Sequence, residues 1–141
     1  MQEVNFDEIL EQILAQDSRF HRDAYFFVRD ALQITKRQVH KENRESREEK
    51  HVTGQELLEG IRQFALKEYG PMTVTVFEEW GVRNCRDFGE IVFNMVEIRL
   101  LAKTEKDTRD DFQIGYDFTD AFRKPFWPAG KLNEAAKSVV N

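Results

Sequence analysis

Three histidines, His21, His40 and His51, and a single cysteine, Cys85, are the side chains best suited to metal binding or nucleophilic attack in this chain of 141 residues. A zinc site needs several His, Cys or carboxylate ligands at short, characteristic spacings. None of the imidazoles has a second His or a Cys at such a spacing, and neither H-E-x-x-H nor a paired C-x-x-C occurs. The histidines are therefore expected to be solvent-exposed or to cap helices. Cys85 stands where a helix should begin, and a helix dipole lowers a thiol pKa toward nucleophilic thiolate. Without a histidine partner the expected role is instead a small core cysteine. The carboxylates are numerous, but each lies in a mixed-charge run, with no apolar setting that would split the pKa values of a pair. The seven glycines form neither G-x-G-x-x-G nor a P-loop. These residues predict no catalytic site, no metal and no cofactor.

The most unusual constellation is aromatic. Tyr116, Phe118, Phe122, Phe126 and Trp127 are interleaved with Arg123 and Lys124. The favoured reading is a C-terminal segment that folds back and closes the core. The functional reading is an exposed aromatic-plus-Arg patch, the composition of protein–protein hot spots. Its candidate partner-binding residues are Tyr116, Phe122, Arg123, Lys124, Phe126 and Trp127. A separate basic group, Lys36, Arg37, Lys41 and Arg44, could contact nucleic-acid phosphates together with Arg123 and Lys124. The net charge of −5 gives no broad attraction to phosphate backbones or anionic lipid.

The elements that must position these groups are mostly helices. Asn5 with Glu8 forms a capping-box pattern, and Phe6, Ile9, Leu10, Ile13 and Leu14 follow at helical spacing. Gln16-Asp17-Ser18 reads as a break. A second helix runs from near His21 to near His40, with Tyr25, Val28, Ala31, Leu32, Thr35 and Val39 on one side. Phe26 and Phe27 widen that stripe, so cover from more than one direction is expected. Lys41 to Lys50 holds no apolar residue and reads as a charged linker or a charge-paired helix extension. Thr53 with Glu56 makes a second capping box, ahead of Leu57, Leu58, Ile61, Phe64 and Ala65. Gly70 stops this third helix, and Pro71 suits the first turn of a short fourth one with Val74, Phe77 and Trp80 inward. Gly81 ends it. Asn84 caps a fifth helix carrying Phe88, Ile91, Val92, Met95 and Val96, broadened by Phe93 and Ile98. Gly89 inside it costs about 1 kcal/mol relative to Ala, which close approach of a neighbouring helix would repay.

The period then changes to two. Phe112, Ile114, Tyr116 and Phe118 alternate with Gln113, Gly115 and Asp117, the pattern of a half-buried strand. Leu100 to Thr104 is its expected partner, and Glu105 to Asp111 the connecting loop. Asp117 with Asp120 suggests one more helical turn through Phe122. The predicted class is mainly α with a small antiparallel β-hairpin (α+β), and the element order suggests a winged-helix-like core behind an N-terminal helical pair. The predicted organisation is one helical domain over 1–128: a helical pair at 1–40, a charged linker at 41–52, and three helices plus hairpin at 53–118. Residues 129–141 form a weakly patterned tail.

In a winged helix the fifth helix would enter the major groove and should present basic or amide side chains. Its outward candidates are Arg86, Asp87, Glu90, Asn94 and Glu97, a net negative face. The wing loop is no better, with Glu105, Asp107, Asp110 and Asp111 against Lys103, Lys106 and Arg109. Sequence-specific DNA binding through that surface is disfavoured. The lone cysteine, the missing secretory leader and the absence of an apolar run of about 18 residues give a cytoplasmic expectation, without membrane association.

The runs His51-Val-Thr-Gly-Gln-Glu-Leu-Leu-Glu-Gly-Ile-Arg62, Phe88-Gly-Glu-Ile-Val-Phe-Asn-Met-Val-Glu97 and Gly115-Tyr-Asp-Phe-Thr-Asp-Ala-Phe-Arg-Lys-Pro-Phe126 resemble an uncharacterised family of short bacterial proteins, found mainly in planctomycetes and verrucomicrobia. The resemblance spans about Asn5 to Phe126. It implies a bacterial origin and a single domain, and transfers no functional residue. The functional expectation is a non-enzymatic helical module that binds an unknown protein partner or itself. Nucleic-acid binding is the alternative, and a small-ligand binder or enzyme with an unfamiliar site the second alternative.

Overall fold

The computed structural model describes residues 5–42, 52–98 and 109–128. Every regular element among them is helical: α1 (Phe6–Gln16), α2 (Arg22–Glu42), α3 (Gly54–Tyr69), α4 (Thr73–Glu79), α5 (Cys85–Glu97) and α6 (Phe118–Phe122). Three short 3-10 turns, Gly70–Met72, Arg109–Phe112 and Lys124–Phe126, complete the fold.

Local chemistry sets the helix boundaries. The Asn5 side chain accepts from the Asp7 backbone N–H at 3.0 Å, so the predicted cap forms while Glu8 returns no bond. The break expected at Gln16-Asp17-Ser18 begins one residue later, since α1 includes Gln16 and α2 starts at Arg22, and His21 Nδ1 accepts from the Asp23 N–H at 3.0 Å. The α3 box is complete: Thr53 Oγ1 accepts from the Glu56 N–H at 3.1 Å, and Glu56 accepts from the Thr53 N–H at 3.0 Å. Pro71 lies in the 3-10 turn that joins α3 to α4 and not in α4 itself. Gly81 carries a φ of +83°, and a Cβ there would stand 2.4 Å from the Arg19 carbonyl oxygen. Only glycine fits both demands.

The apolar stripes meet. One buried cluster takes in Leu10 and Ile13 of α1, Tyr25 and Val28 of α2, Leu58 and Ile61 of α3, Phe77 of α4, Phe88 and Ile91 of α5, and Phe122 of α6. Its centre is aromatic. Phe27 stacks on Phe64 at 5.1 Å, while Phe77 meets Phe88 edge-on at 5.2 Å and Phe122 at 5.4 Å. Such pairs add about 0.5–1.5 kcal/mol each beyond the area they bury.

The predicted α+β class is overturned at residues 112–118. None of the described residues is in a strand, and the segment read as one runs from the Arg109–Phe112 turn to the start of α6. Burial does not alternate along it: Phe112 and Phe118 are buried, but Ile114 is 80% exposed. The backbone groups that a ladder would have paired are met by a side chain. Gln55 Nε2 donates to the Asp111 carbonyl at 2.8 Å and to the Ile114 carbonyl at 2.6 Å. Asp117 then accepts from the Thr119 and Asp120 N–H groups at 2.9 and 3.2 Å, which starts a helix where the strand pattern was still running. Without a hairpin there is no wing, so the winged-helix expectation falls with the strand. The expected strand partner at 100–104, most of the connecting loop, nearly all of the 41–52 linker and the 129–141 tail lie outside the described residues.

Glycines let the segment dock. A Cβ on Gly54 of α3 would come within 2.8 Å of the Asp111 Cβ, and one on Gly89 of α5 within 2.8 Å of the Phe112 Cβ. The close neighbour expected at Gly89 is therefore this 3-10 turn and not another helix.

Candidate functional site

The C-terminal segment has two sides of different character. Its inner side closes the core. Phe122 is fully buried, Phe118 nearly so, and the Tyr116 hydroxyl donates to the Leu58 carbonyl at 2.7 Å. Burial pushes the Tyr116 phenol well above its usual range, so it stays a neutral donor. Tyr116 and Phe122 thus belong to the favoured core-closing role and not to an exposed patch.

Its outer side is open. Phe126 is 47% exposed, Met72 is 55% exposed, and Trp127 is half-buried. The Phe126 ring is in ordinary van der Waals range of Gly70, with Cζ 4.0 Å from where a Cβ would stand, and Met72 belongs to the same turn as Gly70. Pro71 and Pro125 are exposed within the same pair of 3-10 turns. The neighbouring cations are partnered: Arg123 lies 3.9 Å from Glu78, and Lys124 pairs with Asp120. Met72 was missed by sequence reasoning. The available signal was Gly70-Pro71, a tight turn that leaves the following side chain little room to reach inward.

The face of α5 expected to meet solvent is partly covered: Arg86 and Glu97 are exposed, while Asp87, Glu90 and Asn94 are half-buried. Asn94 Nδ2 donates to Asp17 Oδ2 at 2.9 Å and to the Tyr25 hydroxyl at 3.0 Å. Glu90 pairs with Arg19 at 3.4 Å and with Arg109 at 3.6 Å, and Glu97 meets Arg109 at 3.4 Å. Asp87 accepts from the Arg83 N–H at 2.8 Å. The hydrogen-bonded Arg19 guanidinium is the main cause holding the Asp17 carboxyl far below its usual range, against the opposing cost of burial. This network anchors the α1–α2 corner.

The remaining candidates are simple to place. His21 and His40 are exposed, and no group of His, Cys, Asp or Glu among the described residues could hold a metal ion. Cys85 is buried, its thiol donates to the Tyr116 carbonyl at 3.4 Å, and burial raises its pKa, which suits a core thiol and not a nucleophile. Lys36, Arg37 and Lys41 are exposed on α2, while Arg44 and His51 lie outside the described residues. No helix among the described residues is long and apolar enough to cross a membrane. No protein-family model matches the chain, and no curated protein or solved structure matches it either.

Proposed function

We propose that this chain is a non-enzymatic protein-docking module whose contact surface is the outer side of its C-terminal segment, centred on Phe126 and Met72. The observation that carries this reading is a pair of large, half-exposed apolar side chains at one turn: Met72, which belongs to it, and Phe126, whose ring contacts its Gly70. Exposed aromatic and Met side chains near Arg are the composition that concentrates binding energy. Support also comes from the backbone: each side chain rides on a proline-containing 3-10 turn, which limits the main-chain freedom lost on association. Phe126→Asp tests it, because a half-exposed side chain can be changed without opening the core. Sedimentation across a concentration series reads self-association, and cross-linking in native extract reads a heterologous partner. The expected result is an assembly that the substitution abolishes while thermal unfolding is unchanged. A chain that stays monomeric, with no cross-linked partner sensitive to Phe126, sinks the proposal.

A second reading is nucleic-acid contact through α2. It draws on Lys36, Arg37 and Lys41, which are exposed and make no ion pair among the described residues. Arg123 and Lys124 contribute less than expected, since each already faces a carboxylate. Because such binding is chiefly electrostatic, a gel shift at low salt with no retardation at about tens of micromolar protein ends it.

A further inference from the structure

An open groove of about 560 Å³ lies between α4, the Val82–Arg83 link and the start of α6. That volume is within the range of about 300–1,000 Å³ common for small-molecule sites. Its apolar lining is Val74, Val82 and Phe118, all three buried; Val74 and Phe118 keep a small exposed edge and Val82 lies wholly beneath the surface. Four charged residues line the walls, and three of them are already engaged. Glu78 and Arg123 face each other at 3.9 Å, and the Asp117 carboxylate accepts from two backbone N–H groups of α6. Arg83 is different: its side chain makes no ion pair among the described residues. Its backbone is nonetheless fixed, because the Arg83 N–H donates to Asp87 at 2.8 Å at the capped start of α5.

We propose that this groove binds a small amphipathic monoanion, a carboxylate with an aliphatic or aryl body, whose charge pairs with Arg83 and whose body lies against the exposed edges of Val74 and Phe118. One unpaired cation matches one negative charge. A dianion would set its second charge against Glu78 and Asp117, and a cation would meet Arg83 itself. A neutral body would bury apolar surface but leave the guanidinium partly desolvated without a partner, which costs free energy. A planar guanidinium also suits a carboxylate by geometry, through two parallel hydrogen bonds. This site is separate from the Phe126–Met72 surface, and either can fail without the other.

Amide-resolved NMR titration of the full chain with octanoate is the test, with octanol and octylamine as neutral and cationic matches and inorganic phosphate as the multivalent control. Saturable shifts should gather at Val82, Arg83, Phe118 and Thr119, with octanoate about tenfold tighter than octanol. Arg83→Gln should lose about that tenfold with unchanged thermal unfolding, and Glu78→Gln should tighten octanoate by removing a nearby negative charge. Equal binding of octanoate and octanol overturns the proposal. So does an Arg83→Gln chain that binds like the parent, or octanoate shifts confined to the Phe126 surface. An absence of saturable shifts at about 10 mM, where even a Kd of 1 mM would show, overturns it as well.

Discussion

The two flanks of α5 are joined to the rest of the molecule by different physics. On one flank the α1–α2 corner is held by hydrogen bonds and charge, through Asp17, Arg19, Asn94, Glu90 and the Tyr25 hydroxyl. On the other, the C-terminal segment adds a few polar ties, such as Arg109 to Glu90 and Glu97, to what is chiefly shape and apolar burial: Phe112 pressed against Gly89, Phe118 packed on Phe77 and Phe88, and Phe122 on Phe77. Polar attachments are directional and respond to pH and salt. Packed ones respond to volume. The same helix is thus fixed on one side by which atoms meet and on the other by how much space they fill.

The largest test is on the packed flank. Phe122→Ala removes a fully buried ring from the centre of the aromatic cluster and should cost about 3–5 kcal/mol, read by urea unfolding. A loss under about 1 kcal/mol would mean that the segment contributes little to the fold. On the polar flank, Asn94→Ala strips partners from Asp17 and from the fully buried Tyr25, at an expected cost of about 1–3 kcal/mol. A double-mutant cycle with Tyr25→Phe should show coupling between the two positions. If the two losses simply add, the hydrogen bond between Asn94 and Tyr25 carries no stability.

How legible each flank is in the sequence follows from the same contrast. Helical stripes are periodic, so Leu57, Phe77 and Ile91 could be placed in one interior from spacing alone, and they share it. Ile114 was grouped with them on a two-residue period and instead faces solvent. Alternation over seven residues does not specify a strand when the backbone can be satisfied otherwise. Here Gln55 and Asp117 satisfy part of it, from 56 and 59 residues away in one case and locally in the other. The polar network was illegible for a related reason. Asn94 and Glu90 look like solvent residues until the α1–α2 corner arrives to cover them, and only a buried Tyr25 in need of a hydroxyl partner hinted at it. The aromatic cluster was read as core or as patch. Phe122 is buried and Phe126 about half exposed, so the cluster divides between interior and surface within a few residues.

Gly89→Ala sharpens the shape side of the comparison. A methyl group there would stand 2.8 Å from the Phe112 Cβ and 2.9 Å from its Cγ, atoms that cannot swing aside as a flexible chain end would. Overpacking of this kind costs about 1–3 kcal/mol, offset by about 1 kcal/mol of gained helix propensity. The expected net is a loss of up to about 2 kcal/mol in urea unfolding, together with faster proteolysis near Arg109 as the turn is levered away. A stabilised chain would show that the turn does not seat on α5 as described.

The smallest effect belongs to the polar flank and is a matter of pH. The Asp17 carboxyl is held below its ordinary value of about 3.9 in the folded chain, chiefly by Arg19, and regains that value on unfolding. The folded state therefore prefers the ionised form, and the stabilisation is fully present above pH about 4. It drains away as the pH falls further, and is gone once the folded carboxyl is protonated. Arg19 is more than half exposed, so solvent screening holds the expected gain to about 1 kcal/mol or less. Asp17→Asn should accordingly be less stable than the parent at pH 7, with the gap narrowing toward pH 3. The Glu59–Arg62 pair has the same sign and remains in both chains, so it cancels from the difference. Phe122→Ala supplies the contrast, because its gap to the parent has no reason to change with pH. Should the Asp17→Asn gap stay constant down to pH 3, the corner is held by shape after all, and the distinction between the two flanks of α5 disappears.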